Sequence, residues 1–88
     1  MISKEIVVAN KTGIHARPAS MFVKTATQFK SNITVTKDGK TANGKSLITI
    51  LSLQLVKGSN ITISADGADA AEAVDTLIKM VESKFGEE

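Results

Sequence analysis

The chain has 88 residues, of which 42% are hydrophobic and 23% charged, and a formal net charge of +2. This length suits a single domain over residues 1–88, and with three phenylalanines as the only aromatic residues its core must be aliphatic. The absence of cysteine and the single histidine exclude disulfides and a zinc centre. The scattered lysines predict no nucleic-acid binding, and the lack of a leader or a long apolar run predicts a cytoplasmic protein without membrane insertion.

The first strand and helix are predicted by a change of period. Residues Ile2 to Ala9 alternate, which indicates a strand, and from Ala16 the apolar residues fall at helical spacing. We expect this helix to end near residues 30–32. Pro18 lacks an N–H and fits only in a first helical turn, so it places His15 near the N-cap and Arg17 in the opening turn.

The rest of the chain predicts three more strands and two more helices. Residues 33–37 alternate, Asp38-Gly39 is typical of a type I′ hairpin, and residues 40–42 form the short return strand. A short apolar helix over residues 47–53 should have Ser46 as its N-cap. Residues 61–65 alternate again, and Asp69 is expected to cap a last helix. The order βαββαβα with one wet sheet face indicates an α+β, two-layer open-faced sandwich.

The segment "GKTANGKS", residues 39–46, has the spelling of a phosphate-binding loop for ATP. Such a loop joins a buried parallel strand to a helix in a sheet covered on both faces. Here the preceding strand alternates, and a hairpin tip at Asp38-Gly39 would turn the chain back through the middle of the supposed loop. We therefore interpret the segment as a hairpin, a turn and a capped helix, with no nucleotide cofactor.

The segment "TGIHARPAS", residues 12–20, places the only histidine immediately before a helix. Unpaired N–H groups and the positive end of the helix dipole converge there. A phosphoryl group on a ring nitrogen of His15 would meet those N–H groups and the guanidinium of Arg17. Each such contact contributes only about 0.3–1 kcal/mol, which favours transfer over storage. The alternative is that His15 is an ordinary polar residue on a surface helix.

The motif "GIHARPAS" resembles the active-site signature of the histidine-containing phosphocarrier protein (HPr) family of the bacterial phosphoenolpyruvate-dependent sugar phosphotransferase system, and the resemblance covers essentially the whole chain. It implies a four-stranded antiparallel sheet with three helices on one face. It also implies that His15 takes a phosphoryl group on Nδ1 from Enzyme I and passes it to sugar-specific IIA domains. Because the protein would itself be the substrate at both ends of the reaction, we expect a carrier and not an enzyme, and we expect it to be a monomer. Arg17 would contact the phosphate, supported by Thr12 and Ala16, and no metal is implied.

The resemblance also implies a regulatory site at Ser46. In low-GC Gram-positive members, the serine that begins the second helix is phosphorylated by the ATP-dependent HPr kinase/phosphorylase, and the catabolite repressor CcpA is then a partner. A phosphate on Ser46 would gain the helix dipole and nearby Lys45.

A docking surface is predicted on the second helix, because five apolar residues surround a very short helix and one stripe suffices for a core. The resemblance implies that the exposed members are Leu47, Ile48 and Leu51. The other residues assigned to this surface are Ser20, Lys24, Lys45 and Gln54. Gram-positive members usually carry methionine at 48 and 51 and glycine at 54. Methionine adapts to different binding partners, so the stiffer Ile48 would reduce the number of partners that this surface can bind.

Two other functions compete with the phosphoryl carrier. One is a regulatory binding module that acts through phosphorylated Ser46 and the apolar residues of the second helix. The presence of His15 argues against the regulatory paralogue Crh, which lacks a histidine at this position. The other is an ATPase, which would bind nucleotide by itself.

Overall fold

The computed structural model describes residues 1–9, 11, 13–83 and 85, which form four strands and three helices. In chain order they are β1 (Ile2–Val7), α1 (Ala16–Ala26), β2 (Asn32–Lys37), β3 (Lys40–Asn43), α2 (Leu47–Ser52), β4 (Asn60–Asp66) and α3 (Ala70–Glu82). The predicted order βαββαβα is confirmed.

The strands form one antiparallel sheet in the order β1–β4–β2–β3. In the central strands Ile33, Val35, Ile61 and Ile63 are buried, while the threonines between them are only half-buried. Buried side chains of all three helices join the same apolar cluster, so the helices cover one face and the other face meets solvent. The predicted α+β, two-layer open-faced sandwich is therefore confirmed.

The turn between β2 and β3 is the predicted two-residue hairpin. Asp38 and Gly39 have φ values of +50° and +80°, both positive as a type I′ turn requires, and Lys37 lies opposite Lys40. The segment of residues 39–46 thus starts at a hairpin tip, runs through β3 and ends where α2 begins. A strand occupies its middle, which excludes the conformation of a phosphate-binding loop.

Helix α1 ends at Ala26, and the prediction that it continues to residues 30–32 is wrong. The hydroxyl of Thr27 donates to the carbonyl of Lys24 at 2.8 Å, and the N–H of Gln28 donates to the carbonyl of Thr25 at 3.1 Å. The second bond spans three residues, so it tightens the chain out of helical geometry. Phe29 continues the apolar spacing, but it packs against the core from this turn.

Asp69 occupies the N-cap position of α3, but its carboxylate does not cap that helix, contrary to the prediction. Instead it accepts hydrogen bonds from the hydroxyl of Ser31 and from the N–H groups of Lys30 and Ser31, the latter two at 2.9 Å. Gly67 permits this approach, since a Cβ there would lie 2.7 Å from Cα of Ser31. These bonds, led by that of the Ser31 hydroxyl, lower the pKa of Asp69 from 3.8 to about 2.

The Asp69 carboxylate should make stability depend on pH in the acid range. Because its pKa is depressed, its stabilising effect is present above about pH 4 and is lost as the pH falls toward 2. We expect the urea midpoint of the wild type to fall across this window more steeply than that of Asp69→Asn. Asp75→Asn is the control, because Asp75 is exposed and pairs with Lys79 across one helical turn. An Asp69→Asn protein with the pH profile of the wild type would contradict the assignment.

Candidate functional site

His15 is the N-cap residue of α1, and its side chain is exposed. Its backbone is extended, with φ −90° and ψ −161°, and its carbonyl accepts the first helical hydrogen bond from the N–H of Ala19 at 2.8 Å. The imidazole makes no capping hydrogen bond to the helix. The ring therefore projects at the positive end of the helix dipole without closing that end itself.

The turn before His15 is held against the segment that follows α2. The N–H of Ile14 donates to the carbonyl of Leu55 at 2.6 Å, and the Ile14 side chain is buried. Gly13 has φ +67°, and a Cβ there would collide with the backbone of Leu55 and lie 2.8 Å from Cα of Val56. On the other side of His15, Pro18 is buried in the first turn of α1. The backbone of His15 is thus anchored on both sides.

Ala16 and Arg17 follow His15 in the first turn, and both side chains are exposed. Their N–H groups precede the first helical hydrogen bond, so α1 offers them no acceptor. The first turn has no acidic residue. This end of α1 therefore combines N–H donors with a guanidinium, a combination that suits an anion. Thr12, which the sequence assigned to the same site, lies outside the described residues.

Ser46 occupies the N-cap position of α2, but its hydroxyl makes no capping hydrogen bond, contrary to expectation. The carbonyl of Ser46 begins the helix by accepting the N–H of Ile50 at 3.1 Å, and it also accepts the hydroxyl of Thr49 at 3.0 Å. Asn43 holds the approach, because its side-chain oxygen accepts the N–H of Lys45 at 2.9 Å and its carbonyl accepts the N–H of Ser46 at 3.1 Å. The half-buried Ser46 hydroxyl is therefore not used to cap α2.

Lys45 was expected to lie beside a phosphate on Ser46. Its ammonium donates to the carbonyl of Phe29 at 2.7 Å, and the side chain is half-buried. This bond joins the start of α2 to the turn after α1.

The apolar side chains of α2 divide between the core and solvent. Ile50 is 1% exposed and Leu53, directly after the helix, 7%, whereas Leu47, Ile48 and Leu51 are 36%, 80% and 37% exposed. The expectation that two or three of them stay exposed is confirmed. On α1, Ser20 and Lys24 are exposed as well. We call Leu47, Ile48 and Leu51 the apolar patch.

Three residues near the site were missed by the sequence analysis: Lys37, Asn43 and Leu55. The ammonium of Lys37 donates to the carbonyls of Leu53 and Gln54. The side chain of Asn43 accepts the N–H of Lys45, next to Ser46, and the carbonyl of Leu55 accepts the N–H of Ile14. Asn43 could have been found, since an asparagine two residues before Lys45 is typical of an Asx turn. The roles of Lys37 and Leu55 depend on distant elements and have no local signal.

The described residues contain no group of three or more histidine, aspartate or glutamate side chains that could hold a metal ion. Within that part of the chain, none of the helices has both the length and the apolar character needed to cross a membrane.

A family model described as "PTS HPr component phosphorylation site" matches residues 2–83. The chain is similar to the crystal structure of HPr-C-His from Thermoanaerobacter tengcongensis, with a TM-score of 0.97 and 49% identity over 100% of this chain and 99% of that one. It is 42% identical to the phosphocarrier protein HPr of Neisseria meningitidis serogroup A, over 99% of this chain and 98% of the relative. It is also 43% identical to the HPr-like protein Crh of Halalkalibacterium halodurans, over 96% of this chain and 100% of the relative.

Proposed function

Because this chain belongs to the HPr family of phosphocarrier proteins, we propose that His15 accepts a phosphoryl group from phosphorylated Enzyme I and passes it to sugar-specific IIA domains. The observation that carries this proposal is the exposed imidazole at the N-cap of α1, in a turn that is hydrogen-bonded to Leu55. Overall identity is nearly the same for an HPr and a Crh relative, at 42% and 43%. The choice between a carrier and a purely regulatory protein therefore depends on residue 15.

Each of the two transfers, from Enzyme I to His15 and from His15 to the IIA domain, is a displacement at phosphorus. A neutral imidazole has a lone pair on one ring nitrogen, assigned here to Nδ1, and this pair forms the new N–P bond. The bond from phosphorus to the donor breaks, and its electron pair leaves with the donor. In the second transfer a nucleophile of the IIA domain forms the new bond to phosphorus, and the N–P bond breaks with its electron pair returning to the imidazole. The protein is thus a substrate in both steps, so it acts as a carrier in a relay.

The surroundings of His15 suit the charge of the group that it would carry. Phosphoryl transfer depends on positioning and on electrostatic stabilisation of the phosphoryl oxygens. The guanidinium of Arg17 is the proposed phosphate contact, and the first-turn N–H groups of Ala16 and Arg17 add donors at the same end. Thr12 is assigned a supporting role by its place in the motif.

Phosphorus NMR after incubation with phosphoenolpyruvate and Enzyme I tests the proposal. The wild type should give a phosphoramidate signal that disappears in acid, and added IIA domain should discharge it. A chain that stays unlabelled under conditions in which a known HPr is labelled would reject the carrier function.

The apolar patch is the proposed docking surface for Enzyme I and the IIA domains, together with Ser20, Lys24, Lys45 and Gln54. The Ile48→Asp substitution should raise the KM of Enzyme I for this carrier roughly tenfold and leave kcat unchanged. Ile48 is 80% exposed, and the substitution would place a charge against the apolar surface of a partner. Val7→Asp is the control, since Val7 is 52% exposed but lies in β1 on the open face of the sheet. An equal rise in KM for both variants would contradict the docking assignment.

Regulation through Ser46 is the second function that an observation supports, because the Ser46 hydroxyl is not used as a helix cap. HPr kinase/phosphorylase is the proposed enzyme and CcpA a proposed partner of the phosphorylated form. Incubation with the kinase and ATP should give an acid-stable phosphoester that Ser46→Ala lacks. A purely regulatory protein would lose its function in Ser46→Ala and keep it in His15→Ala, the reverse of what the carrier proposal expects.

A further inference from the structure

Lys37, at the end of β2, contacts the segment that follows α2. Its ammonium donates to the carbonyl of Gln54 at 2.7 Å and to that of Leu53 at 3.2 Å, and the side chain is half-buried. Carbonyls at a helix C-terminus have no helical partners. A lysine there can donate hydrogen bonds to them, and its positive charge interacts favourably with the negative end of the helix dipole. The first consequence of this contact is a defined end for α2.

The segment that Lys37 holds has an unfavourable backbone. Gln54 has φ +53°, in the left-handed region that residues with a Cβ rarely adopt. Its carbonyl also accepts the N–H of Val56 at 2.9 Å, which tightens the chain immediately before it meets the turn of His15. A residue in this conformation persists only where its surroundings hold it. Lys37 supplies two of the bonds that do so.

The same segment carries the acceptor for the turn of His15. The carbonyl of Leu55 lies between Gln54 and Val56 in the chain, and it receives the N–H of Ile14 at 2.6 Å. Gly13 packs directly on this backbone, at a distance that leaves no space for a Cβ. A shift of residues 54–56 would therefore move the residue immediately before His15.

We propose that Lys37 is a positioning residue for phosphoryl transfer, which acts on His15 through the backbone of residues 53–55 and the hydrogen bond from the N–H of Ile14 to the carbonyl of Leu55. This inference rests on the proposed carrier function. It assigns the effect of Lys37 to the chemical step, since a displacement at phosphorus is sensitive to small errors in the position of the nucleophile. Lys37 itself needs no contact with the phosphoryl group or with a partner.

The test compares three full-length variants in phosphorylation by Enzyme I, with rates corrected for the folded fraction. Lys37→Met keeps an unbranched apolar side chain, one atom shorter, and removes its hydrogen bonds. Lys37→Arg restores donors, and Lys40→Met removes a charge from the same hairpin. Lys40 is exposed and lines the same surface cavity of about 220 Å³, so it is a matched control. The His15 ring signals in NMR spectra report the position of the imidazole independently.

We expect Lys37→Met to lower kcat roughly tenfold with KM within about twofold of the wild type, and to shift the His15 ring signals. Lys37→Arg should recover most of the rate, and Lys40→Met should match the wild type. The inference is overturned if Lys37→Met changes only stability, if it changes only KM, or if Lys40→Met has the same effect. A wild type that takes up no phosphoryl group would reject the carrier function itself, which is a separate result.

Discussion

The His15→Ala protein should take up no phosphoryl group from phosphoenolpyruvate and Enzyme I. His15 is the only histidine in the chain, so no second imidazole is present to accept the group. We expect the rate of labelling to fall by at least about 10³-fold, which is the usual result of removing a nucleophile. Phosphorus NMR and a shift in native gel mobility both measure this.

The loss should come from chemistry and not from unfolding. The His15 side chain is exposed, and substitutions of exposed side chains usually change the free energy of unfolding by no more than about 0.5 kcal/mol. Ser46→Ala is the control for the other proposed site and should be labelled by Enzyme I like the wild type. A His15→Ala protein that still acquires an acid-labile phosphate would require a different acceptor.

Gly13→Ala should have the largest structural effect near the site. Gly13 combines φ +67° with a position where a Cβ would meet the backbone of Leu55 and of Val56. The left-handed conformation costs about 1–2 kcal/mol for a residue with a Cβ, and the overlap should add about 1–3 kcal/mol. The backbone atoms cannot give way like a flexible side chain, so the turn of His15 must move. Phosphoryl transfer per folded molecule should fall together with stability.

Gly39→Ala separates these two costs. Gly39 has φ +80° at the hairpin tip, but a Cβ there would have no atom within 4 Å. The free energy of unfolding of this variant, measured in urea, should therefore fall only by the cost of the left-handed conformation. If Gly13→Ala is no more destabilising than Gly39→Ala, the close contact between the His15 turn and residues 55–56 is incorrect.

The elements of this fold were predictable because their signals are local. Alternation over residues 33–37, positive φ at Asp38-Gly39 and a proline that begins a helix each depend on a few neighbouring residues. The helix boundaries were less accurate for the same reason. Apolar spacing continued to Phe29, but hydrogen bonds of Thr27 and Gln28 ended α1 at Ala26.

The capping predictions were right about the residues at the N-cap positions and wrong about what their side chains do. Ser46 and Asp69 are the N-cap residues of α2 and α3, yet neither side chain caps its helix. The carboxylate of Asp69 instead binds the segment of Lys30 and Ser31, nearly 40 residues earlier, at its N–H groups and a hydroxyl. A local pattern identifies which residue can cap but carries no information about a competing donor from another element.

The sequence by itself determined the order of the elements, because periodicity and the position of a proline depend on residues close together in the chain. It also identified His15 as the residue that we propose to accept a phosphoryl group. Only the tertiary structure decided which side of α2 is buried, that Lys45 and Lys37 bind distant carbonyls, and that Leu55 supports the turn of His15. These contacts join elements that are far apart in the chain, and they form only when the helices and hairpin have packed. The physical reason is that a hydrogen bond requires its partners within about 3.5 Å, and for distant residues that distance is set by packing.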